Sequence, residues 1–465
     1  MKKILSILLT IAIVFGLCAC GSSGNEEKKP EGLQVGFGKI DVTPDFSVGL
    51  GGLGDDYTRR SEGLISYVYI TCIAISENDN TILLYTMDFS GCNESTAELI
   101  RSKVSPETGV PVENIFCGAT HNHSGPSAVL TDDAGLRYQA LWQAKAIEAA
   151  KEAIADMAPA TISSAKQEIE NMNFVRHYKM ADGTHAGSNF GSFKDSEIVG
   201  HSVEGDHEMT LVKFDRPEGK EDVLLVNWHA HPASANQIGR NNIASDFVGP
   251  FRDKVEALTG MKVAYFTGAS GNMNPESKIA SEDHRLDIKK YGEKLAEYAI
   301  AALANLAPIE GSGIKIAPAT KVVLDIDHSW DHMVAEAKEV YEISETNPSH
   351  CVQLCKKYNF SSYHQARTII RRADMSLTGD RILHAFSVGG LGFVNGDYEM
   401  FTESGMYIKE NSPFDTTFII SGNSGYLATE IAYDYRSYEA DTSYYAKGSA
   451  EKLAGKLVEM LNSLA

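Results

Sequence analysis

The chain has 465 residues, and its 62 acidic and 42 basic side chains give a net charge of −20 at pH 7. This length is enough to bury a large core, in one large domain or in two smaller ones. The negative charge argues against nucleic acid or an anionic lipid surface as the main binding target. Five cysteines follow residue 20, an odd number that argues against a disulfide framework, and Cys351 and Cys355 are expected to be packing residues.

The first twenty residues are typical of a secretion signal. Two lysines precede an apolar run over residues 4–17, which is short for a membrane span. The run leads into a segment that resembles the bacterial lipobox, Leu17-Cys18-Ala19-Cys20-Gly21. We therefore predict a lipoprotein signal peptide and lipobox over residues 1–20, in which Cys20 becomes the lipidated mature N-terminus and anchors the protein to a bacterial membrane outside the cytoplasm. A flexible tether would follow over residues 21–33. An ordinary secreted protein that is cleaved nearby is the alternative.

Strand-type apolar runs then alternate with amphipathic helical stretches. The runs cover residues 33–42, 67–76, 81–88, 114–119, 209–214, 223–229, 263–267, 382–394 and 416–421. Apolar residues at three- and four-residue spacing predict helices over residues 96–103, 138–157, 287–306 and 449–464. This alternation predicts an α/β fold, with mixed central β-sheets flanked by helices, in a single domain over residues 34–465.

Residues 329–380 interrupt this alternation, because they are mostly helical and have charged faces. They include a basic run from Arg367 to Arg372. We predict a helical insertion between two sheet segments, which is either a cap over a site or a plain solvated helix pair.

His121 and His123 form a His-x-His pair directly after a strand-type run and before a turn of Ser, Gly and Pro. In a strand, residues i and i+2 point to one face, so such a pair offers two imidazoles on the same side. Neutral imidazole is the commonest protein ligand for zinc. The Asp-His that follows this motif in metallo-β-lactamases is absent, whereas TIM-barrel amidohydrolases are not excluded. Two partly buried, hydrogen-bonded histidines are the alternative without a metal.

His229 and His231 repeat the pattern after the run over residues 223–229. Two such pairs in the same setting are much less expected by coincidence than one, so the sequence favours a metal site. Zinc usually takes three or four N, O or S ligands, and the remaining ones must come from a later segment.

Several segments together resemble the neutral, non-lysosomal ceramidases and their bacterial superfamily. The resemblance covers about residues 34–445, with the segments in the right order and at plausible spacing. The most specific motif is residues 119–126, which contain the first histidine pair. The other segments are Gly36–Pro44, Asn227–Ser234, Tyr398–Phe401, Asn423–Tyr426 and Tyr438–Ala440.

This resemblance implies a catalytic zinc ion, and in this sequence its ligands would be His121, His231, Glu399 and Tyr426. Each histidine pair is thereby divided into one ligand and one neighbour. The implied reaction is hydrolysis of an amide bond in an N-acyl substrate, a ceramide or sphingolipid or another N-acyl amine, by attack of metal-activated water. Zinc lowers the pKa of bound water from 15.7 to about 7 and polarises a carbonyl oxygen.

Other residues are predicted to act on the substrate. His123 would orient the substrate or transfer a proton, and Tyr438 would donate to the oxyanion. Arg176 falls where the family has a substrate-contacting arginine, with a surface salt bridge as the alternative.

Three more residues are weaker candidates for groups behind the metal ligands. Asp88 could orient a ligand histidine or cap a loop, and Asp246 is comparable. His229 would be left without a ligand role.

Two features depart from the family. Ceramidases carry a catalytic serine in a segment that matches residues 270–275, but Asn274 stands at its position here. Asparagine cannot act as an alkoxide nucleophile, so either the zinc-bound water suffices, with Asn274 positioning the substrate, or the reaction differs. We interpret Ser270 as a turn residue. The family's C-terminal immunoglobulin-like domain is expected to be absent, and the helical insertion predicts a remodelled substrate cavity.

Two alternatives to a zinc amidase stay open. The missing serine favours a non-catalytic surface binding lipoprotein of the same fold. The ligand set is also compatible with a zinc hydrolase of another bond, such as an ester in a cell-wall or glycan component.

Overall fold

The computed structural model describes residues 32–53, 58–78, 80–188, 190–191, 193–279, 287–422 and 425–465. The predicted signal peptide, Cys20 and nearly all of the predicted tether lie outside these residues. Gly32–Ala465 form one compact unit. In the described part of the chain, no helix is long and apolar enough to cross a membrane.

The elements follow one another along the chain in three groups. The first group is β1 (Gln34–Asp41), β2 (Gly63–Leu64), β3 (Tyr69–Glu77), β4 (Asn80–Met87), α1 (Glu94–Thr108), β5 (Ile115–Ala119), α2 (Asp133–Ala155) and β6 (Ala158–Pro159). The second is β7 (Thr161–Glu168), β8 (Phe174–Val175), β9 (His177–Met180), β10 (His185–Gly187), β11 (Ile198–His201), β12 (Glu208–Asp215), β13 (Val223–Trp228), β14 (Asn242–Ile243), α3 (Val248–Thr259), β15 (Lys262–Thr267), β16 (Met273–Asn274), α4 (Ile288–Ala302) and β17 (Ala307–Pro308).

The third group contains the helices that were predicted as an insertion and the last strands. It is β18 (Ile314–Ile316), β19 (Thr320–Asp325), α5 (Val334–Ile343), α6 (Pro348–Tyr358), α7 (Tyr363–Ala373), β20 (Thr378–Val388), β21 (Leu391–Gly396), β22 (Glu399–Met400), α8 (Thr402–Asn411), β23 (Thr416–Ser421), β24 (Tyr426–Leu427), α9 (Glu430–Asp434), α10 (Tyr438–Thr442) and α11 (Ser449–Asn462). The apolar run over residues 382–394 is therefore two strands, because Gly389 (φ 55°) turns the chain between β20 and β21.

Three larger sheets organise the described residues. Their strand orders are β5-β4-β3-β1-β6, β15-β13-β12-β7-β17, and β18-β20-β21-β23 with β19 also paired to β20. Each sheet combines antiparallel pairs with a parallel pair, which is β4-β5, β13-β15 or β21-β23. Helix α2 packs on the first sheet through residues such as Tyr138 and Trp142. The predicted α/β fold with mixed sheets flanked by helices is confirmed.

One apolar core joins the three sheets. It contains Phe116 from the first sheet, Phe266 from the second, and Phe386, Phe393 and Phe418 from the third. Their rings are in contact, with centroids 4.2 Å apart for Phe116 and Phe386 and 5.4 Å apart for Phe266 and Phe418. Strands that are buried on both faces read as continuous apolar runs, which is why β13 is apolar over most of its length.

Buried polar side chains also link the sheets, close to the carboxyl ends of the parallel pairs. Asn395 donates to the carbonyl oxygens of Cys117 (3.1 Å) and Ile420 (3.2 Å). Thr267 donates to the carbonyl oxygen of Thr120 at 2.6 Å. These bonds bring the chain segments that follow β5, β15 and β23 to one side of the molecule.

Helices α5, α6 and α7 lie within the predicted insertion and share a small core of their own. Its buried side chains include Cys351 and Cys355, which are free thiols as expected of packing residues. Arg372 connects this unit to the rest of the molecule, since it donates to the Asp327 carboxylate at 2.7 Å and to the carbonyl oxygen of Ser443 at 3.1 Å.

Candidate metal centre

His121 and His231 meet in a buried site formed by the loops after β5 and β13. Their Nε2 atoms are 2.7 Å apart. Neither histidine lies in a strand, since β5 ends at Ala119 and β13 at Trp228. His121 has a left-handed backbone conformation (φ 63°), which is uncommon for a residue with a side chain and is found at functional sites.

The other ring nitrogen of each histidine is held by the backbone. Nδ1 of His121 donates to the carbonyl oxygen of Ser90 at 2.5 Å, and Nδ1 of His231 donates to that of Ser270 at 2.8 Å. A carbonyl oxygen can only accept, so Nδ1 carries the hydrogen and Nε2 of the neutral ring presents a lone pair. Two facing lone pairs repel unless a cation lies between them, and metal-ligating histidines have this second hydrogen bond.

Glu399 brings a carboxylate to the same point. Its Oε2 atom lies 3.3 Å from Nε2 of His121 and 3.5 Å from Nε2 of His231. This oxygen is buried and accepts no hydrogen bond from the described residues. Glu399 is paired with Tyr426 across the parallel strands β22 and β24, so both side chains lie on the same cavity wall.

His123 also faces this centre, with its Nε2 atom 3.2 Å from Nε2 of His121. The nitrogens of His121, His123 and His231 lie within 4.8 Å of one another, so the three buried rings could hold a metal ion. Burial lowers the pKa of His123 and His231 well below the ordinary histidine value, and the neighbouring His121 adds to this effect. Both rings are therefore neutral and can offer a lone pair.

His123 differs from the other two histidines in the surroundings of its second ring nitrogen. Its Nδ1 is buried and has no hydrogen-bond partner in the described part of the chain. The backbone therefore does not fix which nitrogen of His123 carries the hydrogen, and Nε2 can face the site as donor or acceptor.

His229 points away from the centre, so the expectation that each pair presents two imidazoles on one side is wrong for the second pair. Its Nδ1 accepts from the backbone N–H of Ala269 at 3.0 Å, and its Nε2 lies 3.4 Å from Oδ2 of Asp206. The chain leaves the strand after Trp228, so strand alternation no longer applies. His229 instead fixes the segment whose Ser270 carbonyl holds His231.

Asp88 does not orient a ligand histidine, which was one of the two roles that the sequence left open for it. Its two carboxylate oxygens accept from the Arg252 guanidinium at 3.0 and 2.6 Å, and one also accepts from the backbone N–H of Tyr69 at 2.9 Å. Asp88 thus connects α3 to the first sheet.

Asp246 acts on the loop that follows His231. Its carboxylate accepts from the backbone N–H groups of Ala235 (2.6 Å) and Phe247 (2.7 Å). Burial raises its pKa to about 6.

A cavity of about 820 Å³ opens onto the centre, and every residue predicted to act there lines it. Its walls include the predicted ligands and the predicted substrate-contacting residues, namely His121, His231, Glu399, Tyr426, His123, Tyr438, Asn274 and Arg176. Asn274 lies in β16, next to Met273, whose carbonyl oxygen accepts from the backbone N–H of His231 at 3.0 Å. Ser270 opens the turn before it, as interpreted from the sequence, with the backbone N–H of Met273 donating to its carbonyl at 2.9 Å.

Arg176 is held by a buried ion pair, so the expected alternative of a surface salt bridge is wrong. Its Nε and Nη2 atoms lie 2.7 and 2.6 Å from Oε1 of Glu439. Oε2 of Glu439 accepts from His177 at 2.7 Å, and Tyr435 contacts the other nitrogen of His177 at 2.8 Å. Burial opposes ionisation of Glu439, but the neighbouring His177 and Arg176 outweigh it and lower its pKa to about 2.

Sequence reasoning missed the groups that support the site from behind. Glu439 lies within a segment that resembles the ceramidases, but nothing marked it as the partner of Arg176. The carbonyl groups of Ser90 and Ser270 that hold the two histidines belong to the backbone, so no residue type in the sequence indicates their role. The cavity wall from helix α7, formed by Tyr363, His364 and Arg367, was anticipated only as a cap over a site.

Comparison with known proteins identifies the family. Residues 33–272 match the family model described as neutral/alkaline non-lysosomal ceramidase, N-terminal, and the chain belongs to this family. Among curated proteins, none is significantly similar in sequence.

Solved structures show the same fold. The neutral ceramidase from Pseudomonas aeruginosa has a TM-score of 0.67 and 14% sequence identity, over 94% of this chain and 75% of that chain. A structure described as a ceramidase complexed with C2 has a TM-score of 0.66 and 13% identity, over 94% of this chain and 76% of that chain.

Proposed function

We propose that this protein is a zinc-dependent hydrolase that cleaves the amide bond of an N-acyl substrate, a ceramide-like lipid or another N-acyl amine. The observation that carries the proposal is the convergence of three donor atoms, Nε2 of His121, Nε2 of His231 and Oε2 of Glu399, within 2.7–3.5 Å. Membership of the ceramidase family supports amide hydrolysis, and the cavity beside the donors provides room for a substrate.

The donor set fits zinc. Two imidazole nitrogens and a carboxylate oxygen are the protein ligands of a common catalytic zinc site. With the Tyr426 hydroxyl as a fourth ligand, the water would take a fifth position, a coordination number that zinc can reach. The buried Oε2 of Glu399, which accepts no hydrogen bond from the described residues, is an atom that a cation would satisfy. Zinc supplies an activated water and polarises a carbonyl oxygen when it is bound at such a site.

The surrounding side chains would assist the reaction by proton transfer and positioning. His123 is neutral and faces the centre through Nε2, so it can accept a proton and pass it to the departing amine. Burial raises the pKa of Tyr438 to about 12, so its hydroxyl stays protonated and can donate to the developing oxyanion. Asn274 and Arg176 would position the substrate on the cavity wall.

Metal content tests this proposal directly. We expect zinc-loaded, purified protein to retain one zinc ion per chain and both His121→Ala and His231→Ala to lose it, because each removes a donor nitrogen. His350→Ala is the matched control, since His350 is exposed on α6. Elemental analysis with a circular dichroism check of folding provides the readout. Wild-type protein without stoichiometric zinc would contradict the proposal.

The bond that is cleaved requires a second measurement. Release of fatty acid from a panel of ceramides, N-acyl amines and N-acyl amino sugars would identify an amidase. Zinc binding without turnover on this panel would instead support a binding lipoprotein, the alternative that Asn274 at the family's serine position favours.

We also propose that the protein is a lipoprotein whose catalytic domain, residues 34–465, is attached to a bacterial membrane through Cys20. The lipobox-like segment before Cys20 supports this. In a bacterial host, Cys20→Ser is expected to abolish incorporation of labelled palmitate and release the protein from membranes. Cys18→Ser, two residues earlier, is the control and should keep the label. Labelling that survives Cys20→Ser would show that the anchor lies elsewhere.

A further inference from the structure

Helix α7 supplies a wall of the cavity that opens onto the metal centre. Tyr363, His364 and Arg367 line the cavity from the first half of the helix. The His364 ring contacts the Tyr438 ring edge-on, with centroids 5.3 Å apart, and the Tyr438 ring contacts that of Tyr426 at 5.9 Å. The wall is therefore two ring contacts away from a proposed metal ligand.

Among the described residues of the cavity lining, no carboxylate is recorded as an ion-pair partner of Arg367. It is half-buried, and its Nε is buried without a hydrogen-bond partner among the described residues. Other buried arginines of the molecule are paired, such as Arg176 with Glu439 and Arg372 with Asp327. An anion that pairs with a partly buried guanidinium would satisfy a donor such as this Nε, so the position of Arg367 on the cavity wall favours an anionic ligand.

The other described residues of the cavity lining offer little to neutralise Arg367. Of the described residues that line the cavity, Glu399 is the one carboxylate, and it faces the two histidines of the metal centre. The neighbouring His364 is neutral, because burial and the charge of Arg367 lower its pKa to about 4. The described aliphatic side chains of the lining are Leu53, Ala128, Val129 and Ala233, beside the rings of Tyr363, Tyr426 and Tyr438.

We propose that Arg367 binds an anionic group, a carboxylate or a phosphate, that the N-acyl substrate carries. A guanidinium presents paired N–H donors that match either group, and a charge-assisted hydrogen bond is stronger than a neutral one. That this anion belongs to a substrate rests on the proposed amide hydrolysis. Binding of the anion itself depends only on Arg367 and the cavity.

Matched ligand pairs that differ in charge test this inference. One pair is N-hexanoylglycine and N-hexanoylglycinamide, and the other is N-hexanoyl phosphoethanolamine and N-hexanoylethanolamine. Isothermal titration with metal-free protein measures their Kd, so that a zinc ion does not attract the anion. We expect wild-type protein to prefer the anionic member of at least one pair, and the pair that shows the preference distinguishes carboxylate from phosphate.

Arg367→Gln should weaken binding of the anionic ligand about tenfold or more and leave the neutral ligand unchanged. Arg367→Lys should keep part of the preference. Arg371→Gln is the control, because Arg371 is exposed one turn further along α7. Equal binding of both members of each pair, or an unchanged Kd in Arg367→Gln, would overturn the inference.

The same ligands separate this inference from the proposed function. With zinc-loaded protein, cleavage of both members at equal kcat/KM would support amide hydrolysis and overturn the role of Arg367. Arg367-dependent binding of an anion without cleavage of any ligand would support anion binding by Arg367 and contradict the proposed amidase.

Discussion

Backbone carbonyls fix which ring nitrogen carries the hydrogen in the two histidines of the centre. Ser90 and Ser270 each accept from Nδ1 of one ring, which turns the Nε2 lone pairs towards each other. His123 lacks this constraint and His229 is turned away, so four similar histidines have three different environments. The residue type alone therefore does not separate the two candidate ligands from the other histidines, whereas the partner of the second ring nitrogen does.

Loss of the Glu439 carboxylate should disturb the cavity wall at Arg176. Glu439→Gln leaves the Arg176 guanidinium buried without a counter-charge, which is expected to cost roughly 3 kcal/mol of the free energy of unfolding. Because the pKa of Glu439 is lowered to about 2, its stabilising effect is present above the ordinary pKa of a glutamate and is lost as the pH falls towards 2.

Thermal unfolding between pH 7 and pH 2 measures both effects. The Glu439→Gln midpoint should be lower than that of the wild type at pH 7, and the difference should shrink as the solution is acidified. Glu430→Gln is the control, since Glu430 is exposed on α9. A difference that stays constant down to pH 2 would show that the ion pair does not carry the effect.

Most elements of the fold have a local sequence signal. The predicted strand over residues 263–267 is β15 (Lys262–Thr267), and the predicted helix over residues 449–464 is α11 (Ser449–Asn462). Strand β7 (Thr161–Glu168) was missed, because it is polar and only partly buried and so has no apolar run. Its place in the sheet comes from pairing with β12, which is a long-range contact.

The close approach of β5 to β23 leaves no room for a side chain at Gly118. A Cβ atom there would lie 2.5 Å from Cγ2 of Ile420. Gly118→Ala is therefore expected to lower the free energy of unfolding by about 1–3 kcal/mol and to weaken zinc retention, since the end of β5 carries His121.

Gly200→Ala is the matched control, because a Cβ at Gly200 in β11 meets no atom within 4 Å. The thermal midpoint and the zinc content of both variants provide the comparison. Equal behaviour of the two variants would mean that the sheets can separate at this point without disturbing the centre.

At the scale of the whole molecule, the proposed zinc ligands come from distant parts of the chain. His121 follows the first sheet, His231 follows the second, and Glu399 and Tyr426 follow strands of the third. A metal ion that binds the folded protein alone stabilises it in proportion to its occupancy, by about 4 kcal/mol at a concentration 1,000 times its Kd.

Removal of zinc by a chelator should therefore lower the thermal midpoint of the wild-type protein, and added zinc should restore it. His121→Ala, which lacks a donor, should show no response to either treatment. Differential scanning calorimetry at fixed protein concentration provides the measurement. A wild-type midpoint that is independent of the metal would argue that the three sheets do not share a zinc site.

Short segments of the chain are enough to predict the alternation of strands and helices and to indicate a metal site. Apolar periodicity and side-chain donor types are local properties, so the α/β fold and a metal site at the two histidine pairs could be predicted from short segments, whereas the ligand set His121, His231, Glu399 and Tyr426 came only from the family resemblance. The order of those segments along the chain also carried the resemblance to the ceramidases.

Tertiary structure alone decided which way each side chain faces and what lies behind it. The chain leaves its strands before both histidine pairs, so strand alternation did not predict that His229 turns to Asp206. Arg252 binds Asp88, which lies 164 residues away in the chain, and Glu439 binds Arg176, which lies 263 residues away. Such partners are fixed by the packing of distant elements, which no local pattern encodes. The same packing places Arg367 on the cavity wall.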